Sequence, residues 1–107
     1  MAATPESEAD LILLPDRFSV RAGGHEVVLT LTQFRLVSVL TGTPNRVFSR
    51  AELVEQAMGT LVEERTVDVH IREIRRKLGS SGGRIEAVRG QGNRYRAEPS
   101  GAGDTTR

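Results

Sequence analysis

The segment from Thr66 to Leu78 constrains the fold most strongly, because its apolar residues recur at the spacing of a helix. Four of them follow one another at intervals of 4, 3 and 4 positions: Val67, Ile71, Ile74 and Leu78. At roughly 100° per residue they form a single stripe only about 60° wide. Gly79 follows directly and is a typical helix stop. The pattern predicts a helix over 66–78 that buries one narrow face against a core.

The opposite face of this helix is rich in cations. It carries, around Val69, the side chains of Arg65, Arg72 and Arg76, flanked by Asp68, Glu73 and Arg75. The net charge of the whole chain is only +1, which by itself argues against a protein that coats nucleic acid. The charge is segregated, however: residues 1–16 hold four carboxylates and no cation, whereas residues 65–96 hold nine cations and three carboxylates. Segregation of this kind indicates an anion-binding surface within 65–96, with a solvated charged face as the alternative.

Short strands are predicted on the N-terminal side of the helical part. An apolar run lies at 11–14, and two segments at 18–21 and 26–29 flank a turn at Gly23 and Gly24. Alternation of apolar and polar residues indicates half-buried strands, and glycine supplies the positive φ that a tight hairpin requires. We expect a small antiparallel sheet with one buried face.

Two capping boxes mark the starts of two further helices. Thr30 with Gln33, and Ser49 with Glu52, have the spacing at which each side chain satisfies the backbone N–H of the other residue. Apolar residues at helical spacing follow both boxes. The second of these helices should end at Gly59.

A hairpin completes the predicted chain order. After a flexible stretch at 80–83, residues 85–88 and 94–96 read as strands joined through Gly-Gln-Gly at 90–92. The predicted fold class is therefore α+β: a winged helix-turn-helix with a small N-terminal antiparallel sheet, a three-helix core and a C-terminal β-hairpin wing at 85–96. A major groove about 12 Å wide admits one helix, and wing arginines suit the minor groove. This arrangement predicts binding to double-stranded DNA.

Other classes of function lack the residues they need. The chain has no cysteine and only two histidines, far apart in sequence, so neither thiolate chemistry nor a metal site is indicated. No nucleophile–base or paired-carboxylate pattern is present, and we expect neither an enzyme nor a cofactor. No apolar run approaches the roughly 18 residues of a membrane span, and the first residues lack a signal peptide. A cytoplasmic protein without a membrane partner is expected.

Four stretches resemble, in the same order, the winged-helix DNA-binding domain of OmpR/PhoB-type response regulators. They are LTLTQFRLV, RVFSRAELVEQAMG, RTVDVHIREIRRKLG and IEAVRGQGNRYR. The resemblance implies a transcriptional regulator: the output domain of a two-component phosphorelay, with a receiver domain on its N-terminal side and head-to-tail dimers on DNA. A stand-alone regulator without a receiver, and a protein-interaction winged helix that has lost DNA binding, are the alternatives. The domain is expected to span 10–97, between a disordered acidic leader at 1–9 and a disordered tail at 98–107.

The resemblance implies roles for individual residues of the recognition helix at 66–78. Four correspond to contacts with the DNA backbone: Arg65, Thr66, Arg72 and Arg75. Val69 corresponds to an apolar contact with a thymine methyl group. Glu73 stands where the family often carries a base-reading arginine; a carboxylate can accept a hydrogen bond from cytosine N4 but cannot bind guanine O6 and N7.

Further residues complete the expected interface. Arg89 corresponds to the wing arginine that enters the minor groove, and Arg76 and Arg94 belong to the same DNA-binding set. Asp68, in the first turn of the helix, complements the helix dipole and is expected to pair with a nearby arginine, with a base contact as the alternative.

Several positions depart from the family pattern. Met58 replaces the usual tryptophan and Asn93 the usual wing tyrosine, so two groups that could touch phosphate are missing. The loop at 59–64, where the family contacts RNA polymerase, is shorter than usual, which puts that contact in question. The acidic stretch before Leu11 has no strand pattern, so three strands are expected in place of the family's four.

Overall fold

The computed structural model describes residues 11–59 and 62–97. Within them the order of elements is three strands, three helices and a hairpin, as the sequence predicts. The expected leader at 1–9, the expected tail at 98–107 and the acidic stretch before Leu11 lie outside the described residues. None of the helices that the structure describes is both long and apolar enough to cross a membrane.

Three short strands form an antiparallel sheet with β2 in the centre. They are β1 (Ile12–Leu14), β2 (Ser19–Ala22) and β3 (His25–Val28). Val20 stands opposite Leu13 on one side and Val27 on the other. Directly opposite residues share a face, and Val20 is fully buried with these two neighbours packed against the core. The prediction of a three-stranded sheet with one buried face is confirmed for the described residues.

The three helices begin where the sequence places them, to within one residue. They are α1 (Leu31–Gly42), α2 (Arg50–Leu53, continuing as a wider π-helical turn over Val54–Met58) and α3 (Arg65–Leu78). Both predicted capping boxes are present, each with its two reciprocal hydrogen bonds. α3 starts at Arg65, one residue before the predicted start. The π-helical turn was not predicted, because apolar spacing over a few residues does not distinguish it from an α-helix.

The apolar stripe of α3 lies in the core, as its narrow width predicts. Val67, Ile71, Ile74 and Leu78 are all buried. They share one hydrophobic cluster with α1, α2 and the hairpin, to which Leu36, Leu53 and Ile85 contribute fully buried side chains. Full burial of such a side chain stabilises the fold by about 1.5–3 kcal/mol, so the stripe fixes which face of α3 remains outside.

The stretch after α3 corrects a prediction. Residues expected to be flexible form a 3₁₀-helix over Gly79–Arg84. Gly82 is buried there, and a Cβ on it would lie 2.5 Å from the Arg75 carbonyl oxygen. Glycine at this position therefore permits close backbone packing on the last turn of α3. The Ser and Gly composition of 80–83 is typical of a flexible linker, which is why the sequence did not predict this packing.

The C-terminal hairpin consists of β4 (Ile85–Val88) and β5 (Gly92–Tyr95). It confirms the predicted wing but corrects its second strand, which was expected at 94–96. Gly92 pairs with Val88 and so belongs to the strand, although glycine at that place read as part of the turn. The turn is closed by a hydrogen bond that the Gln91 N–H donates to the Val88 carbonyl, at 2.9 Å.

Candidate nucleic-acid interface

The exposed face of α3 combines one apolar side chain with several charged ones. Val69 is 55% exposed, whereas the other aliphatic residues of the helix are buried. Arg65, Arg72, Arg75 and Arg76 are also exposed. An exposed valine among arginines is suited to a partner that presents both apolar groups and anions.

A groove of about 640 Å³ runs between α3 and the wing, and it is called the helix–wing groove below. Cations line it from two helices: Arg50 from α2, and Arg72, Arg75 and Arg76 from α3. The wing supplies the opposite wall with Ala87 and Asn93. The fold thus brings together three arginines of the predicted site and one that was not predicted.

A second groove, of about 440 Å³, lies between the start of α2 and the turn of the wing, and is called the turn groove. Arg89 lines it from the wing, and Arg50 and Asp68 line it as they do the first groove. Glu64 is also in its wall. The predicted wing arginine therefore shares this groove with Asp68 from the first turn of α3 and with Glu64, which directly precedes the helix.

Several arginines of the predicted site form ion pairs within the protein. Arg65 Nε lies 2.9 Å from Glu63 Oε1, and Arg76 Nη2 lies 2.5 Å from Glu73 Oε1. In contrast, Arg72, Arg75 and Arg89 have no ion pair with any residue in 11–59 or 62–97. These three cations are the ones immediately available to an anionic partner.

Arg94 lies apart from the other predicted site residues. Its Nε is 2.6 Å from Glu86 Oε2, and Arg96 Nε is 3.3 Å from the other oxygen of the same carboxylate. Glu86 and Arg94 are direct partners in the hairpin, on the face opposite to that of Ala87 and Asn93, because neighbouring strand residues alternate. Arg94 lines neither groove, and its role in an interface stays a prediction.

Two carboxylates of this region are held in the ionised form. The hydrogen bond from Arg76 lowers the pKa of Glu73, and the hydrogen bond from Arg94 lowers the pKa of Glu86. Nearby cations add to both effects. An ionised carboxylate accepts hydrogen bonds and donates none, so Glu73 can offer a partner only an acceptor.

Asp68 pairs with an arginine, as expected, and the partner is Arg50 of α2. Arg50 Nε donates to Asp68 Oδ1 at 3.1 Å, and its Nη2 lies 2.7 Å from Oδ2. Arg50 was not predicted, because the two residues are 18 positions apart and only the fold brings them together.

A second long-range contact anchors the far end of α3 and also escaped prediction. Lys77 Nζ donates to Gln33 Oε1 at 2.8 Å, and the same oxygen accepts from the Thr30 N–H at 3.1 Å. Gln33 was expected to cap α1, and it does so while also binding the last turn of α3.

The positions that depart from the family pattern have structural roles here. Met58 is half-buried and packs against the core, as a flexible apolar side chain can. Asn93 is 5% exposed and exchanges two backbone hydrogen bonds with Phe48, at 2.8 and 2.9 Å. Among the described residues, no group of three His, Cys, Asp or Glu side chains could hold a metal ion.

Comparisons with known proteins agree with this geometry. Residues 24–95 match the family model described as "Transcriptional regulatory protein, C terminal". The phosphate regulon transcriptional regulatory protein PhoB of Escherichia coli (strain K12) is 39% identical over 89 residues, which are 79% of this chain and 39% of PhoB. The transcriptional regulatory protein CseB of Streptomyces coelicolor is 39% identical over 90 residues, 82% of this chain and 38% of CseB. The chain thus spans about two fifths of the length of these curated relatives.

Solved structures extend the likeness to the fold. The DNA-binding domain of the response regulator AdeR, solved in complex with an intercistronic region, superposes with a TM-score of 0.72 at 34% identity, over 80% of this chain and 93% of that one. The DNA-binding domain of CpxR from E. coli gives a TM-score of 0.70 at 30% identity, over 84% of this chain and 93% of that one.

Proposed function

The chain belongs to the family of transcriptional regulatory protein C-terminal domains, as a winged-helix effector domain of the OmpR/PhoB type, and from this premise we propose that it binds specific sequences of double-stranded DNA. The family is one of transcription regulators and not of enzymes. The observation that carries the proposal is the helix–wing groove, in which arginines of two helices face one channel. Val69 is exposed on α3, the helix that supplies three of these arginines.

In this proposal α3 enters the major groove with its exposed face toward the bases. A helix of 14 residues is about 21 Å long at 1.5 Å per residue. Val69 and Glu73 lie one turn apart on that face, so both can reach base edges. Val69 contacts a thymine methyl group, and Glu73 accepts a hydrogen bond from cytosine N4. Base contacts give specificity, whereas phosphate contacts fix position.

The backbone contacts are assigned to the arginines. Arg72 and Arg75 clamp phosphates along the helix–wing groove, and Arg65 and Thr66 contact a phosphate at the start of α3. Arg89 at the wing turn enters the adjacent minor groove, where negative potential is concentrated. Arg76 and Arg94 can join these contacts if each leaves its ion pair, with Glu73 and Glu86 respectively, and binds a phosphate in its place.

Three further partners are proposed besides DNA: a receiver domain, a second copy of the domain and RNA polymerase. The family relationship supports a receiver domain on the N-terminal side and head-to-tail dimers on direct-repeat sites. Contact with RNA polymerase through 59–64 is the least supported of these partners, because that loop is short. We further propose a cytoplasmic location, where a regulator of a two-component system acts on chromosomal DNA.

The test is a selection of binding sites from randomised duplexes, followed by affinity measurements on the selected and on random duplexes. Arg72→Ala should weaken binding to both by a similar factor, because a phosphate contact is present on every sequence. Arg35→Ala is the matched control, since Arg35 is an exposed arginine of α1 that lines neither groove. A loss confined to the selected duplex would contradict the clamp role, and no binding of the wild type at low salt would contradict DNA binding itself.

A further inference from the structure

We propose that Arg50 of α2 is a further DNA-binding residue, which contacts the phosphate that lies between the major groove occupied by α3 and the minor groove at the wing. The inference rests on the proposed function and adds a ligand to that interface. Its basis is position, because Arg50 and Asp68 are the only charged residues that line both the helix–wing groove and the turn groove, among the residues that the structure describes.

The ion pair with Asp68 leaves part of the guanidinium unused. Asp68 accepts from Nε at 3.1 Å and lies 2.7 Å from Nη2. No residue of 11–59 or 62–97 accepts a hydrogen bond from Nη1. The side chain is also 51% exposed, so a phosphate oxygen can reach the remaining donors while the carboxylate stays in place.

Asp68 fixes the guanidinium before DNA arrives. An isolated arginine loses rotamer entropy when it binds phosphate. The two contacts from Asp68 hold Arg50 at the junction of the grooves, which reduces that loss. An exposed ion pair is also weak, so the arginine can move toward a phosphate at small cost.

The neighbouring cations complete a phosphate site. Arg72 and Arg75 face the same groove from α3 and have no ion pair with a described residue. A phosphodiester in the helix–wing groove would thus be contacted from α2 on one side and from α3 on the other. Contacts from two elements hold the DNA strand in register with both the helix and the wing.

The test compares two variants that break the same ion pair, on the full chain and a duplex bound by the wild type. Arg50→Gln removes the cation, whereas Asp68→Asn removes the carboxylate and keeps the cation. We expect Arg50→Gln to weaken binding roughly five- to tenfold at about 0.1 M salt, and to reduce the slope of log K against log salt by about 0.9, the value for one phosphate. Asp68→Asn should keep the full slope, because the cation remains, and should lose less affinity than Arg50→Gln, because only the pre-positioning of the guanidinium is removed.

The matched control is Arg17→Gln. Arg17 is 52% exposed and pairs with Glu26 at 2.8 Å, but it lies beside the N-terminal sheet and lines neither groove. Its replacement should leave the slope unchanged. Circular dichroism of each variant checks that the fold is retained.

The possible outcomes separate the two proposals. Equal losses for Arg50→Gln and Asp68→Asn, with the slope unchanged, would mean that the pair only ties α2 to α3, and would overturn the assignment of Arg50. A wild type that does not bind duplex DNA at low salt would overturn the proposed function, and the assignment with it. A reduced slope for Arg50→Gln alone supports the assignment.

Discussion

At the scale of the residue, Glu73 gives the exposed face of α3 its distinctive chemistry. Its carboxylate is bound by Arg76 within the same helix, at 2.5 Å, and its pKa is lowered by that hydrogen bond. The Glu73 carboxylate therefore remains a hydrogen-bond acceptor at any physiological pH. Its exposed neighbour on the same face, Val69, forms no side-chain hydrogen bond. In the major groove, only cytosine and adenine offer a hydrogen-bond donor to such an acceptor. Adenine places the N7 acceptor beside its N6 donor, whereas cytosine presents the N4 donor alone.

Replacing Glu73 with alanine should relax the preference at one or two positions of the binding site. A specific base contact contributes about 1–3 kcal/mol of discrimination, and most of that should disappear while the overall affinity changes little. The measurement is a site selection from randomised duplexes for the wild type and the variant. Glu55→Ala, at an exposed position of α2 that lines neither groove, is the control. An unchanged preference would exclude Glu73 as a base-reading residue.

At the scale of the element, the wing is stabilised by a cluster of charges across its two strands. Glu86 stands directly opposite Arg94, and its two oxygens contact Arg94 and Arg96. Opposite charges at directly paired positions stabilise a hairpin by about 0.2–1 kcal/mol. The arginines of the strands therefore support the shape of the wing, while Arg89 at its turn is left for a partner.

The cluster predicts how stability responds to acid. Because the hydrogen bond from Arg94 lowers the pKa of Glu86 below its ordinary 4.5 in the folded protein, the carboxylate stabilises the fold fully above that ordinary value. The contribution is lost as the pH falls through the lower folded pKa. Glu86→Gln should therefore lower stability by less than about 1 kcal/mol at neutral pH, and the difference should shrink below pH 4.5.

Thermal unfolding of both proteins across the acid range measures this difference. Glu55→Gln serves as control, because Glu55 makes no ion pair with a described residue, and its curve should run parallel to the wild type. A Glu86→Gln deficit that is the same at acid and neutral pH would show that the side chain acts through packing and not through its charge.

Elements with strong periodicity were predictable, and elements built on glycine were not. The stripe of α3 and the two capping boxes depend on neighbours within four positions, so the sequence shows them directly. The sequence predicts a flexible stretch at Gly82 and a turn at Gly92, whereas Gly82 packs on α3 and Gly92 is part of β5. Glycine allows both loose turns and close backbone contacts, and only the surrounding chain distinguishes them.

At the scale of the whole molecule, the wing is joined to the helical part through Phe48. Phe48 and Asn93 exchange backbone hydrogen bonds, and Gly92 lies directly against the Phe48 carbonyl, where a Cβ would overlap its oxygen. Gly92 also has a φ of +146°, which side chains rarely adopt. This joint holds the wing at a fixed position relative to α2 and α3.

Gly92→Ala should therefore destabilise the whole domain. Strain at this φ together with a clash against backbone predicts a loss of about 2–4 kcal/mol. Gly90→Ala is the matched control: its φ is +77°, but a Cβ there would meet no atom within 4 Å, so a loss of about 1–2 kcal/mol is expected. Chemical denaturation compares them, and equal losses would show that the contact with Phe48 is unimportant.

The position of the candidate site on the chain was predictable, but the hydrogen-bond and ion-pair partners of its cations were not. Charge and helical spacing identified the exposed face of α3. Arg72 and Arg75 lie in the wall of the helix–wing groove and Arg89 in that of the turn groove, and their contacts with DNA stay predictions. The partners of Arg50, Arg94 and Lys77 depend on contacts across 18, 8 and 44 positions. The contacts of Arg50 and Lys77 depend on tertiary packing and that of Arg94 on the register of the hairpin, and neither is visible in a local sequence pattern.

The shared acceptor of Gln33 has a consequence for how the domain opens. Since one amide oxygen binds both the Thr30 N–H and Lys77 Nζ, the first turn of α1 and the last turn of α3 lose a common contact if either one frays. Helix ends usually open independently and often. Here two ends that are distant in the chain share one acceptor, so fraying at the end of α3 also removes a partner from the residue that caps α1.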